Sequence, residues 1–307
     1  MMFWKYAQTQ RVRFEDALKH IYDCEYRKAE TTILSLSGIL HMKDRKVVVL
    51  VSKMEKRGLV RILSGGIHLT PHGRAWALQV IRAHRLWESY LVDAVGVPLE
   101  KIHEQAEHKE HTITPAQADQ LESQLGFPLH DPHGDPIPNA AHKIEENHGI
   151  PLVDWPVDKL ARIIHIEDEP VTIFEQILAE GLLLDVCLKI LKSDGKGLHL
   201  WTNVQECWLA PVVAANIFVE EAPQWAEEIS TEPLSVLKPG ERGRILALKS
   251  QGLSRRRFLD LGLLPGTMIE AVMPSALAEP IAYKVRETMI ALRREQTQQI
   301  LIKKITT

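Results

Sequence analysis

The chain has 307 residues, 45% hydrophobic and 25% charged, a composition of globular proteins and a length that suits two to four domains rather than one core. No run approaches the roughly 18 apolar residues that span a bilayer, and the start MMFWKYAQTQRVRFED lacks an apolar secretory core; both features argue against membrane and secreted classes and leave a cytoplasmic protein as the expectation. The net charge of −3 conceals a split, because residues 1–80 hold 14 Lys and Arg against 7 Asp and Glu, a balance of +7 that leaves −10 to the other 227 residues, and a basic module on an acidic body suits contact with phosphates.

In chain order, FEDALKHIYDC, TTILSLSGILH and DRKVVVLVSKMEKRGLV carry helical periodicity and are followed by RILSGGIHLT. Three helices and a hairpin with Gly65-Gly66 at its tip give the order of a winged helix-turn-helix. Residues 71–126 add two or three helices, with Thr70-Pro71 and Thr114-Pro115 as starts and Gly96 and Gly126 as stops. DPHGDPIPN (131–139) is an ordered turn or linker. Beyond it, residues 161–191 parallel 243–273, and 207–219 parallel 289–302, the trace of two small β-barrel domains of about 75 residues each. The class is therefore multidomain α+β, with boundaries expected at 1–80, 81–148, 149–226 and 227–307.

Chemistry concentrates between His84 and His111. His84 and Glu88 are spaced i, i+4, as are His103, Glu107 and His111, while Glu110 follows Glu107 by three, so each set lies on one helix face. Surface salt bridges would account for any single pair; two such pairs on consecutive helices favour a metal. Nitrogen and oxygen donors suit Mn²⁺, Fe²⁺, Zn²⁺ or Co²⁺. Cys24, Cys187 and Cys207 form no CxxC pair and read as buried structural residues rather than thiolate ligands or disulfides.

The run from HRLWESYLVDAVG through HEQAEHKEH to DPHGDPIP, with IYDC, KMEKRGLV and HLTPHGRA before it, resembles the metal-binding and dimerisation region and winged helix of the diphtheria toxin repressor family. The C-terminal part resembles SH3-like domains of the FeoA type, present twice. The resemblance implies a metal-dependent, DNA-binding homodimeric transcriptional regulator, with repression as the first expectation. It places His84, Glu88 and His103 at an ancillary metal site and Glu107, Glu110 and His111 at the regulatory one, with Asp16 from the first helix completing the latter. Glu167, Asp168 and Glu169 lie where the SH3-like domain of some relatives adds acidic ligands. The donor set, with Asp and Glu where iron-type members have Met and Cys, makes Mn²⁺ the first choice and Fe²⁺ the second.

The recognition helix departs from the family's polar pattern. Lys43, Arg45, Lys46, Lys53 and Arg57 suit phosphates, yet Val47–Val51 can only pack inward or touch thymine methyls. Arg255-Arg256-Arg257 reads first as a solvated helix start and second as a contact for DNA or an acidic partner, and FeoA-like modules fit a protein partner. Two rival classes stand beside the regulator: an interaction protein descended from one, and a metal-dependent hydrolase, for which HExxH, a nucleophile elbow and a phosphate loop are all missing.

Overall fold

The computed structural model describes residues 2–63, 66–144, 149–202, 206–222, 232–250, 252–264, 266–274, 280–286 and 288–305. They fall into two compact units, the first comprising Met1–Ser89, Glu104–Asp131 and Pro136–Glu146, the second Tyr90–His103, Pro132–Asp135 and Asn147–Thr307.

The first unit opens with α1 (Met2–Tyr26), α2 (Ile33–Ile39) and α3 (Asp44–Lys56), then the hairpin β1 (Val60–Leu63) and β2 (Gly66–Leu69), and α4 (Pro71–Tyr90). Thr32 caps α2 through a reciprocal pair with Ser35, satisfying two N–H groups that the first turn leaves without helical partners. Val60 pairs with Leu69 and Leu63 with Gly66, the ladder of a wing; the expected tip residue Gly65 lies outside the described residues. The core joins Phe14, Leu18 and Ile21 of α1 to Val47, Leu50 and Met54 of α3, each such burial being worth about 1.5–3 kcal/mol. The valine run is thereby split: Val47 and Val51 are buried, whereas Val48 and Val49 are 51% and 54% exposed.

Hairpin and α4 are joined without room for a side chain. Thr70 Oγ1 donates to Leu59 O at 3.1 Å and accepts from Gly73 N at 3.0 Å, and a Cβ on Gly73 would lie 1.9 Å from Leu59 O. Because the obstacle is backbone, Gly73→Ala is expected to cost about 3 kcal/mol and to lower Tm by roughly 6–12 °C in a thermal melt; an unchanged Tm would contradict this packing.

Further along, α5 (Ile102–Glu110) leads to α6 (Pro115–Gln124). Thr114 caps α6 in a reciprocal pair with Gln117, and Pro115 occupies the first turn, where its missing N–H costs nothing. The 131–139 stretch is ordered: Arg85 donates to Pro136 O at 2.6 Å and lies 3.6 Å from the buried Asp131.

In the second unit, β3 (Ile150–Pro151), β4 (Leu160–Ile166), α7 (Val171–Ala179), β5 (Cys187–Asp194), β6 (Gly197–Thr202), β7 (Glu206–Leu209), α8 (Pro211–Ala214) and β8 (Ile217–Glu221) form one module. A second follows as β9 (Glu232–Pro233), β10 (Arg242–Leu248), α9 (Gly252–Asp260), β11 (Met268–Pro274), β12 (Ile281–Val285), β13 (Thr288–Leu292), α10 (Arg294–Thr297) and β14 (Ile300–Ile305). Their six-stranded antiparallel sheets have the orders β3-β8-β4-β5-β6-β7 and β9-β14-β10-β11-β12-β13, which are the same order. Even the irregularities correspond, since β4 slips against β8 between Ile163 and His165 as β10 slips against β14 between Ile245 and Ala247. Such bulges bend a strand and tighten its twist.

The arginine cluster behaves differently from both expectations. Arg255 pairs with Asp185 at 2.6 Å and Arg256 with Asp93 at 3.3 Å, so two of its three cations are engaged within the unit, and Arg257 is exposed. Cys24, Cys187 and Cys207 are buried free thiols.

Candidate metal centre

On α5 the stripe Ile102, Ala106 and Glu110 is fully or almost fully buried. Helical spacing of four residues keeps all three on one side, so the same periodicity that buries an alanine also delivers a carboxylate to the interior. Glu107 is turned about 100° from Ala106, and its side chain is exposed. Glu107 is not among the three residues whose ligand atoms approach one another most closely at this end of α5.

That group is Asp16, Glu110 and His111, each offering a ligand atom within 4.8 Å of the others. His111 Nε2 lies 3.1 Å from Asp16 Oδ1 and 3.7 Å from Glu110 Oε1. Glu15, which the sequence reading passed over, is 1% exposed and accepts from His111 Nδ1 at 2.8 Å. It is itself held by Arg11 at 2.7 Å and Trp76 Nε1 at 3.2 Å. With Nδ1 committed to Glu15, the imidazole turns Nε2 toward both carboxylates, the second-layer arrangement that orients a ligating histidine. The signal in the sequence is a charged residue directly beside Phe14 and three before Leu18, both in the core.

A second layer of charge surrounds Glu110. Lys19 Nζ donates to Glu110 Oε2 at 2.8 Å, His84 Nδ1 contacts the same oxygen, and His84 Nε2 lies 3.0 Å from Glu88 Oε1. Burial on its own would raise the Glu110 pKa, but Lys19 and His84 overcome it and hold the carboxyl down at about 2. Burial would likewise lower His111; hydrogen bonds to Asp16 and Glu15 and the nearby Glu110 charge instead raise it to about 9. His84 is also raised, with Glu88 and Glu110 outweighing burial and the repulsion from Lys19. Two carboxylates and one oriented imidazole, closely spaced, fit a divalent ion of intermediate hardness.

In the second unit, His103 Nδ1 lies 2.7 Å from Asp168 Oδ2, and its Nε2 lies 3.7 Å from Glu169 Oε1. His133, a buried residue of the 131–139 turn absent from the expected ligand set, lies 3.8 Å from the same Asp168 oxygen. Glu167 turns to His165 instead, at 3.8 Å.

The proposed DNA face carries Lys43, Arg45 and Lys46, all exposed, and Lys53, half-buried. Arg57 is also exposed but sits over the Phe14 ring at 4.9 Å, a cation–π contact that ties its stem to the core.

Comparison with known proteins agrees with this picture. Residues 70–139 match the iron dependent repressor metal binding and dimerisation domain, and residues 232–304 match the FeoA domain. The diphtheria toxin repressor of Corynebacterium diphtheriae is 33% identical over 219 residues, covering 66% of this chain and 95% of that protein. The chain belongs to the diphtheria toxin repressor family. The iron-dependent repressor IdeR of Mycobacterium leprae is 37% identical over 123 residues, 39% of this chain, and the chain spans about half of that relative's length, 53%. Among solved structures, a manganese-dependent transcriptional repressor in complex with manganese has a TM-score of 0.64 at 25% identity, covering 68% of this chain and 99% of that one. Within this diphtheria toxin repressor relative the FeoA match falls on the second sheet, while the first repeats its strand order. Among the described residues no helix is long and apolar enough to cross a membrane.

Proposed function

We propose that the protein is a metal-dependent DNA-binding repressor, acting as a homodimer in the cytoplasm, whose regulatory ion is held by Asp16, Glu110 and His111. The observation that carries this reading is that Asp16 comes from α1, in the DNA-reading part, while Glu110 is the last residue of α5 and His111 the residue that follows it. A divalent ion there supplies +2 of charge shared by the two helices, with Mn²⁺ the first choice and Fe²⁺ the second on donor hardness. Asp16 and Glu110 bring opposed carboxylates together, and His111, steered by Glu15, presents Nε2 between them. The same side chains fix the pose of α1 and, through their shared core, of α3. DNA affinity and metal affinity are then linked and must strengthen one another. His103, with Asp168 and His133, is proposed as a second, ancillary donor set in the other unit. Affinity for duplexes of mixed sequence, titrated with Mn²⁺, Fe²⁺ and Zn²⁺ at fixed salt, tests the reading; affinity indifferent to all three would end it.

One observation favours a second reading. Val48 and Val49 stand outward on α3, and apolar side chains in the major groove read only thymine methyls; on a protein partner they would be ordinary contacts. Reversing charge at Arg45 and Lys46 separates the two. For a DNA-binding protein, the double change is expected to weaken all duplexes alike and reduce the slope of log affinity against log salt by about 2. An unchanged slope would favour the protein partner.

A further inference from the structure

The wing is a two-stranded sheet, and β1 takes the hydrogen bonds on one side of β2. An edge strand leaves the N–H groups of its other side to find partners elsewhere. On β2 they find them in and just after α1: Ile67 N donates to Thr31 O at 3.0 Å, and Leu69 N donates to Glu25 Oε1 at 2.9 Å. Glu25 is the penultimate residue of α1, with its side chain 17% exposed. Its other oxygen accepts from Arg74 of α4, whose guanidinium lies 5.4 Å over the Tyr22 ring, and His68 Nδ1 stands 3.7 Å from Oε1. A carboxylate of α1 thus takes the place of a third strand at the last residue of β2. The outer face of the hairpin carries Arg61 opposite His68; Arg61 is exposed, whereas Val60 and Ile67 of the inner face are buried.

We propose that Glu25 is a positioning residue for DNA binding: it fixes the wing to the helix that carries Asp16, so that Arg61 is held where a phosphate can meet it. The proposal rests on the DNA-binding reading given above. Glu25 follows Asp16 by nine residues on α1, about two and a half turns and roughly 13.5 Å of helix, so the two carboxylates leave α1 on opposite faces. The helix shares its core with α3 and, through Glu25, ties its end to β2. One rigid element therefore sets the recognition helix and the wing together. Without an acceptor at position 25 the end of β2 is released while the Thr31 bond remains. The wing must then be ordered again on binding, at a cost taken from the Arg61 contact.

The test reads the salt dependence of duplex affinity on the full chain with Mn²⁺, by fluorescence anisotropy. Arg61→Ala is expected to lower the slope of log affinity against log salt by about 1 in the wild-type background. In Glu25→Met, which keeps the length of the side chain and removes both oxygens, the same Arg61→Ala change is expected to leave the slope unaltered. Glu25→Gln, which retains an oxygen able to accept from Leu69 N, is expected to restore the Arg61 effect. A side chain needed only for stability would weaken binding yet leave the Arg61 effect intact in Glu25→Met, and that result overturns the inference. So does a Glu25→Gln chain that behaves as Glu25→Met, or an Arg61→Ala change without effect in the wild type. Hydrogen exchange on the wild type needs no variant to fold: the Leu69 amide is expected to be protected to the degree of Ile67, and exchange at the rate of an open amide overturns the inference. A wild type whose duplex affinity ignores salt and Mn²⁺ removes the DNA-binding reading and the inference together, whereas persistence of the Arg61 effect in Glu25→Met removes the inference alone.

Discussion

The Asp16→Ala/His111→Ala protein is expected to bind duplex DNA equally well with and without Mn²⁺, where the wild type gains roughly 5–150-fold, the usual range of coupling between two ligands. The change removes two of the three donors that the fold brings together. Asp16 and His111 have side chains 36% and 13% exposed, and once His111 is truncated the buried Glu15 still has Arg11 and Trp76 Nε1 as partners, so the double change costs some stability without leaving a buried charge unpaired. Glu110 is the poorer choice for this test. Its removal would leave Lys19 without its close carboxylate partner, and breaking a buried ion pair from one side costs about 3–5 kcal/mol, so loss of response would be confounded with loss of fold. Fluorescence anisotropy on a duplex pool at fixed salt, with a thermal melt as control, makes the measurement. A Mn²⁺ response of wild-type size in the double variant would remove these residues from the regulatory site.

The second large effect is one of pH. His111 has its folded pKa raised to about 9 by Asp16, Glu15 and Glu110 acting against burial, compared with about 6.5 for a free imidazole. Without metal, the protonated ring therefore stabilises the fold; this contribution is complete below about 6.5 and is lost as pH rises through about 9. A ligating imidazole must be neutral, so metal binding at neutral pH displaces the proton. Mn²⁺ affinity is accordingly expected to rise about tenfold per pH unit above 7, to be about 50-fold higher at pH 9 and to level off about 100-fold higher beyond it, by the linkage of one proton to one ion. Calorimetry at pH 7.5 in buffers of different ionisation enthalpy should register release of about one proton per ion. Affinity flat across this window would show that His111 does not exchange its proton for metal. Glu110, held at about 2, stays ionised throughout and adds no slope.

Much of this was legible in the residues alone. Thr114-Pro115 announced the start of α6 because a hydroxyl cap and a first-turn proline need only local geometry. The paired segments 161–191 and 243–273 became β4-α7-β5 and β10-α9-β11 in sheets of identical order, since a repeated pattern of apolar positions repeats its strand pairing. The stripe from His84 to His111 marked where the donors would gather, and the family's motifs named Asp16 as their distant companion.

What the tertiary structure alone decided is which donors meet. Periodicity assigns a residue to a face of its helix, but not the helix that will lie against that face. Glu15 and Lys19 entered the centre because α1 meets the end of α5 across contacts separated by 91 and 96 residues. His103 found Asp168 and His133 by the same kind of distant approach. Burial then set the charges: only in a packed, poorly hydrated interior do Lys19 and His84 carry Glu110 to about 2, a property of assembled helices that no single segment possesses.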